Sequence, residues 1–290
     1  MPELPEVESV RLSLLPHLRG RVILDIDARR RDTVTVVGPG AKERPLPTRN
    51  AALYLLQGAR VHTLRRHGKQ LAILPEPGTH ERVLLVHLGM SGQLFSLAPG
   101  AHFPNPTHVH IVWKLDSGAR LVFRDPRRFG GVWSLPGVDA LNERWALLGP
   151  DALTIGPRQL AERLARTKRP TKSALLDQRV LAGVGNIYAD ESLFLARISP
   201  LSIASSLPRD AVTRLARAIR AVLGKAIQAG GSSLADDSYF DADGKRGAFQ
   251  LAHAVYGRSG KLCPACRTPL RSAQINNRTT VWCPSCQPLA

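Results

Sequence analysis

The chain has no apolar run long enough to span a bilayer, and its N-terminus lacks the basic-then-apolar pattern of a secretory signal. A membrane span and an export route are therefore not expected. Acidic residues are scarce: 23 Asp and Glu stand against 40 Lys and Arg, a formal charge of +17. That imbalance favours a polyanion as partner, and nucleic acid fits it better than a lipid surface. Cysteine is nearly absent, with four residues confined to the last 28 positions. A scaffold of disulfides is excluded on that count, and a metal site in a reducing cytoplasm takes its place. No internal repeat occurs, and 290 residues suit two domains, each able to bury its own core.

The four cysteines are Cys263, Cys266, Cys283 and Cys286, two C-x2-C pairs separated by sixteen residues. Such spacing lets two tight knuckles present four thiolates to one tetrahedral zinc ion across an intervening β-hairpin. With every position filled by cysteine, no coordination site is open to a substrate water. The zinc is expected to hold a shape. The hairpin, Arg271 to Trp282, carries Asn276, Asn277 and Arg278 near its tip, where a cation meets solvent or a ligand.

The other end of the chain reads Met1-Pro2-Glu3-Leu4-Pro5-Glu6. Removal of Met1 would expose a secondary amine on Pro2, flanked by the carboxylates of Glu3 and, a turn later, Glu6. A terminal amine titrates near ~8 and a lysine near ~10.4, so at neutral pH about a tenth of the first is unprotonated against roughly one part in two thousand of the second. Attack by such an amine on a sugar aldehyde carbon gives an iminium that cannot be neutralised by losing an N–H proton, an electron sink suited to eliminations. The same residues equally suit the start of a helix, prolines in its first turn and acids at its positive end.

Between the ends, Glu6 to about Leu15 has helical spacing in Val7, Val10 and Leu14, with Pro16 expected to end or kink the helix. From Val22 to about Leu135 short strands are expected: Val22 to Ile26, Thr33 to Val37, Gln70 to Leu74, Val83 to Leu88, His110 to Leu115 and Arg120 to Phe123. Asp116-Ser117-Gly118 reads as a hairpin turn, and Gly38 to Asn50 as an exposed loop. Strands so spaced predict a β-sandwich or flattened barrel. From Gly149-Pro150 to about Ala229 the texture is helical, with Val212, Leu215, Ile219, Val222 and Ile227 on one face of an amphipathic helix. Within it, Gly183-Val184-Gly185-Asn186 reads as a tight turn with Asn186 as N-cap, either an ordinary helix-helix connection or a phosphate-binding helix start.

Taken in order, Met1 to Val7, Arg65-Arg66-His67-Gly68-Lys69, His87 to Gly92, Asp125 to Gly130, Gly183 to Glu191, Tyr256-Gly257-Arg258 and the cysteine finger resemble the formamidopyrimidine-DNA glycosylases over nearly the full length. The resemblance implies an α+β multidomain fold. It divides into an N-terminal β-sandwich with an N-terminal helix over 1–149, a helix-two-turns-helix region over 150–240 and a zinc finger over 241–290. It further implies a bifunctional glycosylase and abasic-site lyase of base excision repair, acting on oxidised purines in duplex DNA by β- and δ-elimination. Leu4, where the endonuclease VIII branch usually has Gly, points to the purine side. The expected setting is a monomer in a bacterial cytoplasm, needing one structural zinc and no organic cofactor.

Carried over by residue, the resemblance makes Pro2 the Schiff-base nucleophile, Glu3 its acid/base partner, Lys69 the proton donor for β-elimination and Arg278 the finger arginine of δ-elimination. Met90, Arg127 and Phe129 match residues that fill the gap left by an extruded base, a task that suits a flexible apolar chain, a guanidinium and an aromatic wedge. Glu6, His108, Lys168 and Asn186 complete the implied DNA-binding set. Some positions depart from the pattern. Pro106-Thr107-His108-Val109 stands where relatives have His-x-His-Val, leaving His102 as a possible substitute. Arg166, Lys168 and Arg169 compete for one phosphate, and Ser232 to Lys245, matching the loop over the flipped base, is rich in Asp. Two alternatives stay open from sequence: a pyrimidine-preferring endonuclease VIII-like enzyme, and a zinc-ribbon DNA binder without catalysis.

Overall fold

The computed structural model describes residues 2–102, 106–234 and 239–289. These form two compact units. The first takes in Pro2, Glu6–Ala146 and Gly230–Gly247; the second Glu3–Pro5, Leu147–Ala229 and the chain from Ala248 on.

Helix α1 (Leu4–Leu18), which belongs to the first unit from Glu6 on, passes through Pro16. Pro16 falls in the last turn and withdraws its own N–H from the helix, but the helix continues past it, and Arg19 N–H still reaches Leu15 O at 3.0 Å. Ten strands follow. They are β1 (Ile23–Ala28), β2 (Val34–Val37), β3 (Glu43–Pro45), β4 (Val61–His67), β5 (Gln70–Pro75), β6 (Val83–His87), β7 (Gln93–Leu97), β8 (Val109–Leu115), β9 (Arg120–Arg124) and β10 (Gly131–Leu135). The short helix α2 (Ala51–Tyr54) lies between β3 and β4, and α3 (Gly137–Ala146) ends the run. One sheet has the order β1-β8-β9-β7 and the other β3-β2-β10-β6-β5-β4. Both sheets send residues into a single core, Trp113 and Phe123 from one and Leu71 and Val86 from the other, which α1 joins through Val7, Val10, Leu14 and Leu18. This is the expected sandwich.

All six strands read from the sequence form, to within two residues at each end. The hairpin at 116–118 closes with Leu115 N–H on Ala119 O at 2.9 Å. Four further strands were not expected. β4 has the sequence VHTLRRH, whose charged residues hide its period: Arg65 and His67 both pack on the Trp145 ring, at 5.2 and 5.6 Å. The Gly38 to Asn50 loop carries β3, a fully exposed edge strand on β2.

The second unit contains α4 (Pro157–Leu164), α5 (Thr171–Leu176), α6 (Asn186–Ala196), α7 (Arg209–Gln228) and the hairpin β11 (Arg271–Ile275) and β12 (Arg278–Trp282). Helix α7 buries Val212, Leu215, Ile219 and Val222 as its spacing predicts, then Leu223 and Ala226 instead of the half-buried Ile227. Helical structure starts earlier than Gly149, since α3 already begins at Gly137. Among the described residues no helix is long and apolar enough to cross a membrane.

Candidate functional site

In the first unit, Pro2 is buried and Lys69 half-buried. Lys69 stands in the two-residue β4–β5 turn, directly after Gly68 with φ 55°. Arg66 fixes that turn. Its Nη1 donates to Gly68 O at 3.0 Å, and its Nε donates to Glu8 of α1 at 2.8 Å. Arg11 shares Glu8, with Nη2 on Oε1 at 2.6 Å. Burial works to raise the Glu8 carboxyl, but the hydrogen bonds and charges of Arg11 and Arg66 prevail and hold it below the usual carboxylate range. The hairpin carrying Lys69 is thus tied to the helix that Pro2 precedes. Burial, then the charges of Lys69 and Arg144, depress the His87 imidazole, whose Nδ1 accepts the Gly89 N–H at 3.1 Å.

Met90, Arg127 and Phe129 lie on two loops held against each other. A Cβ on Gly89 would run into the backbone nitrogen of Gly130, and one on Gly130 would meet His87 O at 2.5 Å, so only glycine permits the approach. Asp125, fully buried, ties the loops: Oδ1 accepts from Ser91 Oγ at 2.5 Å, and Oδ2 from Gly130 N–H at 2.7 Å. The Arg127 guanidinium covers the Phe129 ring at 4.9 Å, and Phe129 is 54% exposed. A core role for Phe129, the usual fate of such a residue, is excluded by that exposure. His108 is exposed with φ 64°, and His102 is exposed as well.

Glu6 is buried and accepts the Ser232 N–H at 2.8 Å, anchoring the start of the Gly230–Gly247 segment. Its far side is held to α1 by Ala242 N–H on Ser13 Oγ at 3.0 Å and by His17 Nε2 with Asp243 Oδ1 at 2.8 Å. Within the Asp-rich stretch Ser232 to Lys245, residues 235–238 lie outside the described residues, as does Met1.

In the second unit the turn before α6 differs from its sequence reading. Gly185, not Asn186, is the N-cap residue, and it has no side chain to cap with. Glu3 supplies the acceptors from the far end of the chain. Its carboxylate takes the N–H groups of Gly185 at 2.6 Å, Ile187 at 2.9 Å and Tyr188 at 3.4 Å. The positive end of α6 therefore faces a protein carboxylate. Gly183 makes this fit possible: its φ is 112°, and a Cβ there would meet Leu4 Cδ1 at 2.5 Å. Asn186 becomes the first helical residue, half-buried.

Helices α5 and α6 also hold the finger hairpin. Lys172 Nζ and Asp190 Oδ1 form an ion pair of 2.7 Å with both side chains fully buried. Burial pushes the Asp190 carboxyl up to about 6 and the Lys172 ammonium down, while their mutual attraction opposes both shifts. Neither residue was singled out from sequence, where nothing marks a lysine and an acid eighteen positions apart as partners. Glu191, next on α6, accepts three N–H groups, from Ala254, Val255 and Tyr256, at 2.9, 3.0 and 2.8 Å. Arg278, Lys168 and Arg166 are exposed, whereas Arg169, also exposed, is paired to Asp177 at 3.1 Å.

The Sγ atoms of Cys263, Cys266, Cys283 and Cys286 all lie within 4.8 Å of one another. Zn–S bonds of ~2.3 Å in a tetrahedron need sulfurs a little under ~4 Å apart, and Cys266–Cys283 at 3.4 Å and Cys263–Cys286 at 3.9 Å fit. The Cys286 N–H on Cys283 Sγ at 3.4 Å is the knuckle bond that such a site uses. These four thiolates make a closed site for one structural zinc ion.

Comparison with known proteins agrees along the chain. Residues 1–132 match the formamidopyrimidine-DNA glycosylase N-terminal domain, 148–238 the H2TH domain of the same enzymes, and 260–289 the zinc finger found in FPG and IleRS. A formamidopyrimidine-DNA glycosylase of Symbiobacterium thermophilum is 42% identical over 292 residues, covering 100% of this chain and 90% of that protein. The crystal structure of the MutM (Fpg) protein of Thermus thermophilus superposes with a TM-score of 0.83 at 39% identity, covering 100% of both chains. Lactococcus lactis Fpg in complex with abasic-site DNA gives 0.84 at 29%, covering 99% of both. The same protein with N7-benzyl-Fapy-dG DNA gives 0.84 at 30%, covering 99% of this chain and 100% of that one. From end to end, this chain belongs to the formamidopyrimidine-DNA glycosylase family.

Proposed function

We propose that this chain excises oxidised purines from duplex DNA and cleaves the strand at the resulting abasic site, in base excision repair. The observation that carries the reading is its full-length likeness to glycosylases, one of which is solved with abasic-site DNA and with Fapy-dG DNA.

In this reading the Pro2 amine attacks C1′ as the bond from C1′ to the damaged base breaks and the base leaves with a proton. Opening of the sugar ring gives the iminium, with Glu3 exchanging the proton at the sugar. Loss of the C2′ proton then breaks the C3′–O3′ bond, loss of the C4′ proton breaks the C5′–O5′ bond, and water hydrolyses the iminium to free Pro2. Lys69 serves the first elimination and Arg278 the second. Three features support these roles. Glu3 is held by three N–H groups directly after Pro2, Lys69 is braced through Arg66 and Glu8, and the exposed Arg278 sits on a zinc-closed hairpin.

Met90, Arg127 and Phe129 fill the space of the extruded base; their pairing on two fused loops and the exposure of Phe129 support this. Glu6, His108, Lys168 and Asn186 serve DNA binding, and 1–149, 150–240 and 241–290 are the working parts. We read the enzyme as a monomer of the bacterial cytoplasm, an assignment supported by its bacterial relatives and by four thiols reserved for metal. Excision assays on duplexes bearing 8-oxoguanine or thymine glycol test the reading. Faster release of 8-oxoguanine is expected, and faster release of thymine glycol would move the enzyme to the pyrimidine branch.

A further inference from the structure

Arg278 opens β12 directly after a two-residue turn in which Asn276 and Asn277 have φ 49° and 57°. In the pairing with β11, Ile275 faces Arg278 and Ala273 faces Thr280. The backbone groups of Thr279 and Val281 therefore point to the other edge of β12, where a third strand would lie. No strand is there among the described residues. Lys172 Nζ donates to Thr279 O at 3.0 Å, and Asp190 Oδ2 accepts the Val281 N–H at 3.0 Å. A carbonyl at one residue and an N–H two residues on are what a neighbouring strand would satisfy. The buried Lys172–Asp190 pair stands in for it. A further bond, Asn276 Nδ2 to Ser173 Oγ at 3.0 Å, fastens the turn on the near side of Arg278.

We propose that the Lys172–Asp190 pair is the positioning device for Arg278. By acting as a substitute strand edge it fixes where the guanidinium stands, and so governs the second elimination separately from the zinc that closes the finger. The inference rests on the assignment of Arg278 to that step. An apolar pair could fill the same space but would let β12 slide along its axis. A donor and an acceptor matched to one carbonyl and one N–H admit a single register.

The test is a double variant, Lys172→Met with Asp190→Asn, which removes both charges and the bond to Thr279 and leaves an acceptor for Val281. Full-length zinc-loaded protein is compared with wild type and with Arg278→Ala on preformed abasic duplex in single turnover. Strands ending in the unsaturated aldehyde are separated from those ending in 3′-phosphate. The first elimination, zinc content and borohydride trapping should match wild type. The ratio of 3′-phosphate to aldehyde should fall roughly tenfold or more, in the direction of Arg278→Ala, because displacement of a working group by about 1 Å can slow a step as much as a hundredfold. Lys172→Arg, which keeps the charge with a different reach, should give an intermediate ratio and serves if the double variant does not fold. A wild-type ratio in the folded variants, with Arg278→Ala showing the loss, overturns the proposal alone. A wild-type ratio in Arg278→Ala overturns the assignment of Arg278 and the proposal with it. Loss of zinc from the double variant contradicts separate control.

Discussion

Glu3 accepts the backbone N–H of Ile187 at 2.9 Å, across 184 positions of sequence. One carboxylate thereby caps α6 and stands beside the residue assigned as nucleophile. A substitution at Glu3 must affect both tasks, and they separate by measurement.

Glu3→Gln keeps the volume and an acceptor oxygen but cannot carry the proton. Base excision in single turnover should fall about a hundredfold or more, while affinity for abasic-site DNA stays within a few-fold. A matching loss of both would mean that Glu3 acts only as a cap.

The Glu8 carboxyl is held below its ordinary value, so its contribution has a definite sign with pH. The stabilisation is present above the unfolded carboxylate range, near ~4.3, and is lost as pH falls through the depressed folded value. Thermal melts of wild type should drop on acidification through this window, and Glu8→Gln should flatten that part of the drop. Near neutral pH the variant should be less stable by about 1 to 3 kcal/mol, the scale of hydrogen bonds to a charged group. It should also slow strand cleavage, since the Lys69 turn loses its anchor.

In the role proposed for them, Phe129 and Met90 replace lost stacking, and Phe129→Ala and Met90→Ala remove the atoms that would do so. Extrusion of a base costs a few kcal/mol and each ~1.4 kcal/mol is tenfold in rate, so 8-oxoguanine excision should slow about tenfold or more. Cleavage at a preformed abasic site, which has no base to extrude, should change much less. Equal slowing on both substrates would remove Phe129 from the wedge role.

Chelation, or Cys263→Ser, should unfold the finger while the sandwich keeps its melting transition, because the four thiolates close only residues 263–286. Far-ultraviolet and near-ultraviolet melts with zinc analysis check this. DNA affinity should fall with the loss of a presented Arg278, and normal affinity without zinc would contradict the account.

What the sequence made legible was local. The cysteine spacing, the Asn276–Asn277 turn ahead of Arg278 and the buried stripe of α7 all depend on residues close in sequence; the first two formed as read, and the stripe did so through Val222 before shifting to Leu223 and Ala226 in place of Ile227. What stayed hidden depends on partners far apart. Asn186 looked like a cap because Ser, Thr, Asp and Asn are the usual caps; the capping oxygens come from Glu3. Lys172 and Asp190 gave no signal because their common partner, β12, lies about a hundred positions on. β4 was masked by arginines whose stems and guanidiniums lie on Trp145 or reach Glu8.

The proposed chemistry rests on a covalent link between the Pro2 amine and DNA. The most direct measurement is borohydride reduction of the enzyme on abasic-site duplex, followed by peptide mass spectrometry of the adduct. An adduct on Pro2 is expected in protein lacking Met1, and none in protein with a blocked N-terminus that still binds the duplex. An adduct on a lysine, or full strand cleavage by protein shown to retain Met1, would contradict it.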